Sequence, residues 1–219
     1  MTRKTKLMLN SASSLIYQMI TIVCGFILPR FFLSFYGSAV NGLISSITQF
    51  LGFISLAECG VGAVVQSALY KPLANNDMQE VSKIMKSADR FFKRIAYILL
   101  AYIAILMVFY PLITLKSFDY FFTLVLIFVI SISSFVQYYL GMTYRLLLNA
   151  DQLGFIQYSI HSAALILNTV SCILLMKAGT SIQIVKLTTS LIFLIQPLLL
   201  AAIAKRKYKI DHKIQYAEE

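Results

Sequence analysis

Three ionisable side chains, Arg30, Glu58 and His161, stand inside or at the edge of long apolar runs of this chain. Each can manage charge where water is scarce. A carboxylate at the depth of Glu58 can hold a proton or a cation, and without a partner or a wet site it costs about 2.5–3.5 kcal/mol on insertion scales. Arg30 follows a proline near the end of its run, so either it snorkels to the interface or it serves a site. For His161 two readings are open, a hydrogen-bonded packing residue and a proton carrier. Straight helices place Arg30 and Glu58 about 15 Å apart in depth, which argues against a direct ion pair.

Polar residues accompany these groups at helical spacing. Asn10, Ser14, Gln18, Thr21 and Gly25 step by four, four, three and four. Further on, Ser45, Thr48, Gly52, Ser55, Cys59, Gly62 and Gln66 keep a three-four rhythm that confines them to an arc of about 100°, with Glu58 on its flank. Such a face is either a packing seam, where small residues let helices approach, or the wall of a wet cavity. Gln157, His161 and Asn168 share another face, and Ser134, Tyr138, Gly141 and Arg145 a fourth.

Six apolar stretches, roughly 7–33, 42–69, 91–113, 119–144, 154–176 and 181–204, must position these residues. At about 1.5 Å per residue each is long enough to cross a hydrocarbon core of about 30 Å. The expected fold is an all-α integral membrane protein with six transmembrane helices over 1–204 and a basic tail over 205–219. Composition agrees: the chain is 59% hydrophobic and 13% charged, with mean hydropathy +0.78, more apolar surface than it can bury against itself.

The net charge of +10 raises the question of nucleic acid, and its distribution answers it. With the N-terminus cytoplasmic, the inner segments hold all but four of the lysines and arginines, leaving Arg30, Lys116, Lys177 and Lys186 outside. That is the positive-inside pattern, so the basic excess implies anionic membrane lipids and no nucleic acid, with both termini cytoplasmic. The basic start followed by an uncleaved apolar run reads as a first span and not as a signal peptide. Cys24, Cys59 and Cys172 share no close spacing, which supports neither a disulfide framework nor a metal site.

The connecting segments are short. The longest, over 70–90, opens with Lys71-Pro72, and Asn76 or Asp77 can cap a helix after it. There Val81, Ile84, Met85, Ala88 and Phe92 recur at three- and four-residue steps, with Lys83, Lys86 and Arg90 off that face. The pattern predicts a basic amphipathic helix at the inner headgroups; the alternative is a simple extension of the third span. No Walker loop, dinucleotide fingerprint, HExxH or nucleophile elbow occurs, so the chain reads as a non-enzyme with no cofactor.

Several runs carry a resemblance: Gly25-Phe26-Ile27-Leu28-Pro29-Arg30, Tyr36-Gly37-Ser38, Asn41-Gly42-Leu43, Ser45-Ser46-Ile47-Thr48-Gln49-Phe50-Leu51, Glu58-Cys59-Gly60-Val61-Gly62, Leu69-Tyr70-Lys71-Pro72-Leu73-Ala74, Asn149-Ala150-Asp151-Gln152 and Gln196-Pro197. In this order they resemble the first half of a Wzx-type polysaccharide flippase of the multidrug/oligosaccharidyl-lipid/polysaccharide exporter superfamily. The resemblance implies movement of an undecaprenyl-diphosphate-linked oligosaccharide from the inner to the outer leaflet of a bacterial cell membrane, between two lobes that alternate access. It implies substrate contacts from Arg30, Asn10, Gln18, Thr48, Ser55 and Gln66, with Arg30 toward the diphosphate, and ion coupling through Glu58 and His161. Such flippases carry about twelve or fourteen spans, so the chain looks like one six-helix lobe whose partner is a second lobe or a second copy. A multidrug or small-solute exporter lobe and a non-transporting membrane scaffold are the alternatives.

Overall fold

The computed structural model describes residues 3–55 and 60–208. Their apolar runs coil into helices because, away from water, a helix satisfies each backbone N–H and C=O within its own segment. In chain order these are α1 (Arg3–Gly52), α2 (Val61–Ala74), α3 (Met78–Thr114), α4 (Tyr120–Val136), a π-helical turn (Gln137–Gly141), α5 (Met142–Ala150), α6 (Gly154–Lys177) and α7 (Ile182–Lys207). No strand occurs among the described residues.

Five stretches are long and apolar enough to cross a membrane: Lys4–Gly52, Met78–Thr114, Tyr120–Ala150, Gly154–Lys177 and Ile182–Lys207. The expected six are not all present as separate long helices. The run expected over 42–69 is divided, its first part being joined to α1 and a later part forming the 14-residue α2, shorter than the ~20 residues a crossing needs.

Within α1 the chain bends at Gly37, whose φ of 80° and ψ of 171° fall in a region open essentially to glycine alone. Two limbs result. Pro29, whose missing donor can kink or end a helix, does neither here; the helix runs through it, as membrane helices can when neighbouring groups compensate the missing donor. At the bend, the Tyr36 hydroxyl donates to the Thr180 carbonyl at 2.7 Å, fixing the turn of α1 against the turn between α6 and α7. That second turn is closed by Gly179, with φ 73°, and by the Thr180 amide reaching back to Leu175 at 3.2 Å, the C-terminal closure glycine permits.

The segment expected to lie as a separate helix at the headgroups is instead the first turns of α3. Asp77 caps it by accepting the Glu80 amide at 3.1 Å, and the helix then continues unbroken to Thr114. Val81, Met85, Ala88 and Phe92 are buried. Val81 and Met85 pack with Leu69 of α2, Leu147 and Leu148 of α5, and Leu200 and Ala204 of α7; Ala88 and Phe92 join the main core. The periodic face was real, and its partner is protein.

That larger core gathers Ile47 and Leu51 of α1's second limb, Phe92, Ile95 and Leu99 of α3, Leu126 and Ile127 of α4, and Cys172 and Met176 of α6. Outside it, large apolar side chains stay exposed, Phe26 at 77%, Ile113 at 76% and Phe121 at 70% among them. A surface this apolar over long helices is compatible with a protein solvated by lipid.

Candidate functional site

The predicted site residues fall into separate places. Along residues 43–55, the second limb of α1 and the turn after it, Leu43, Ile44, Ile47, Leu51 and Ile54 are buried, while Ser45, Thr48, Gly52 and Ser55 lie exposed beside them. Their hydroxyls donate to their own helix: Ser45 to Asn41 at 2.9 Å, Thr48 to Ile44 at 2.8 Å and Ser55 to Gly52 at 2.7 Å. With those protons used, the face turns oxygen acceptors outward. Glu58 and Cys59, expected on or beside this face, lie outside the described residues.

The first limb carries Gln18 and Arg30, both exposed. At 100° per residue Arg30 lies about 120° round from Gln18, so it does not share the stripe that holds Asn10 and Gln18. Asn10 itself is engaged. Its Oδ1 accepts the Phe155 amide at 2.7 Å and its Nδ2 donates to the Gln152 carbonyl at 3.0 Å, capping α6, whose own preceding residue, Leu153, offers no side-chain cap. Asn10 and Gln66 do meet, with Ser14, Asn149, Gly154 and Tyr158, around an open cavity of about 370 Å³. Gln66 there donates to the Tyr70 hydroxyl at 2.9 Å.

His161 belongs to a different cavity. Its ring stands 5.8 Å from that of Tyr17, and it lines a half-enclosed space of about 230 Å³ with Ser133, Gln137, Gly141, Arg145, Gln196 and Pro197. The π-helical turn forms part of this wall, and an inserted residue of that kind often marks a functional position. Gly141 is required by the approach of α7: a Cβ there would come within 2.8 Å of the Pro197 Cβ. Gln196 is 6% exposed and its Nε2 has no hydrogen-bond partner among the described residues. Gln157 and Asn168, placed by spacing on the His161 face, are buried, and Asn168 accepts from the Cys172 thiol at 3.4 Å.

A polar cluster that spacing alone did not single out closes one end of the bundle. Asp151, in the turn between α5 and α6, accepts from Lys6 at 2.8 Å and from Lys207 at 2.6 Å, and from the Tyr208 hydroxyl. Burial pushes the Asp151 carboxyl up, while the bonds from Lys207, Lys6 and Tyr208 pull it down, and the net result is below the ordinary carboxylate value. The Tyr208 phenol is raised, by burial first and then by that carboxylate. The signal for this cluster was an acid in a turn at the end where the basic Lys6 and Lys205-Arg206-Lys207 also lie.

Among the described residues no group of His, Cys, Asp and Glu gathers that could hold a metal ion. Comparison with known proteins gives no matching family, no matching curated protein and no matching solved structure.

Proposed function

We propose that this chain is one lobe of a membrane transporter that carries a lipid-linked oligosaccharide from the inner to the outer leaflet of a bacterial cell membrane. The observation that carries this reading is the outward polar face of α1's second limb. A segment that buries Ile47 and Leu51 and exposes Ser45 and Thr48, with Ser55 just beyond the helix end, sets hydroxyl oxygens where a lipid-solvated helix would set hydrocarbon side chains. Acceptors in a row suit water and sugar hydroxyls, both of which donate. The motif series that resembles Wzx-type flippases supplies the substrate class.

In this reading the second limb of α1 and α2 together return the chain across the membrane, completing six crossings with both termini cytoplasmic. The polar face lines a path shared with a second lobe or a second copy. Exposed Arg30 meets the diphosphate, and Gln18, Thr48, Ser55 and Gln66 meet the glycan. Asn10 supports the wall by capping α6. Glu58, by its sequence position, provides the coupling ion's site, while His161 lies in the separate cavity beside Arg145.

The test is export of surface polymer in cells that depend on this chain and its partner lobe. Replacing Thr48 and Ser55 together by leucine should lower export at least tenfold while the protein's membrane level stays near normal, and Glu58→Gln should do the same by removing the charge. Full export by the Thr48→Leu, Ser55→Leu pair would overturn the reading.

A further inference from the structure

We propose that the cavity between α4, the π-helical turn, α5, α6 and α7 is a binding site for a phosphate-bearing anion. It lies within the helix bundle and apart from the α1 face on which the transport reading rests.

Three observations converge on it. The first is room: about 230 Å³ of half-enclosed space exceeds more than tenfold the ~10–15 Å³ that one water needs. The second is the sign of the wall. Ser133, Gln137, Arg145, His161 and Gln196 supply its polar groups, with no acidic side chain, and among the described residues no carboxylate pairs with Arg145. A guanidinium facing a cavity in an apolar bundle repels a cation and is left unpaired by a neutral ligand, whereas phosphate oxygens match its planar donors. The third is an unspent donor. Gln196 Nε2 is buried without a partner, and a buried donor left unmade costs about 1–3 kcal/mol. An oxyanion seated between Arg145 and Gln196 satisfies both.

The enclosure has its own structural cause. The π-helical turn over Gln137–Gly141 inserts a residue into the line between α4 and α5, which carries Gln137 to the exposed mouth and sets Gly141 against Pro197 at the back. Side chains from three long helical stretches therefore point into one space that none of them forms alone.

Two sources present this chemistry, a soluble phosphate and an anionic lipid headgroup, and native mass spectrometry separates them. The full chain, released from phosphatidylcholine nanodiscs, is mixed with inorganic pyrophosphate; the same chain is released from discs containing phosphatidylglycerol. A retained pyrophosphate assigns a soluble ligand, and a retained phosphatidylglycerol assigns a headgroup. In either arm Arg145→Gln should reduce the bound fraction at least tenfold, and Lys177→Gln, at an exposed position on α6, should leave it unchanged. If Arg145→Gln does not fold, Gln196→Leu keeps the charge and should still weaken binding at least threefold. Retention of neither ligand, or equal retention in wild type and the Arg145 and Gln196 variants, would overturn the proposal.

Discussion

Asn10 Oδ1 accepts the backbone amide of Phe155 at 2.7 Å, so α6 is capped by a side chain of α1, 145 positions earlier in the chain. The same side chain donates to Gln152, and both ends of one amide are spent on one helix start. Asn10→Ala should therefore lower stability in detergent by about 1–2 kcal/mol, the usual cost of a lost cap, read as a lower melting temperature. Asn10→Asp, which keeps the acceptor, should recover most of it. An alanine variant that melts like wild type while losing export would assign Asn10 to the substrate instead.

Asp151 predicts an acid-labile end. Its carboxyl is held below the ordinary value in the folded protein, so it contributes stability that is present above the unfolded value, about pH 4, and is lost as the pH falls through the lower folded value. Thermal melts over pH 7 to 3 should show a steeper loss for wild type than for Asp151→Asn. The variant should already be less stable at pH 7, by about 1–3 kcal/mol, because the carboxylate charge shared by Lys6 and Lys207 is gone and one of its two acceptor oxygens is replaced by a donor amide. Parallel pH profiles would show that the cluster adds nothing.

Gly37 tests the bend in α1. At φ 80° and ψ 171°, an alanine there is strained by about 1–3 kcal/mol. Gly37→Ala should lower the melting temperature, whereas Gly42→Ala, at a helical position with open space around it, should not. Equal behaviour would place the bend elsewhere.

The outward face of α1 predicts association. Single cysteines at Ser45, Gly52 and Ser55, in a background with the native cysteines removed, should form crosslinked dimers or crosslink to a co-expressed second lobe. Cysteines at exposed Ile113 or Phe121 should not. Indifferent crosslinking at all five positions would remove the case for a partner on this face.

For orientation, cysteines at Ser38 and Ser117 should react with an impermeant thiol reagent added outside intact cells, and one at Asn76 should not. The reverse labelling would invert the topology.

The fold class was readable because hydropathy and helical periodicity are local properties: each long helix lies over an apolar run of expected position, and α3 is capped by Asp77, one of the two residues whose chemistry allowed it. What local pattern could not give is the identity of a partner. The Val81, Met85, Ala88 and Phe92 face was visible as apolar, but its spacing is the same whether headgroups or α2 and α5 cover it. Asn10 reads as one more polar residue of a stripe until α6 is brought beside it. Pro29 and Gly37 show the same limit in the backbone, since a missing donor is tolerable in a packed helix and a positive φ is invisible in a glycine's name. The cavity around Arg145 and Gln196 needed three stretches distant in sequence to meet, and no single spacing encodes that.

The Asp151 clasp also has a mechanical meaning. It ties the start of α1, the turn before α6 and the end of α7 to one carboxylate, so the first and last helices of the bundle are fastened at the same end. A bundle held this way transmits as a lever does: a pull on the end of α7 reaches the foot of α1 through two hydrogen bonds, without first deforming the helices between them.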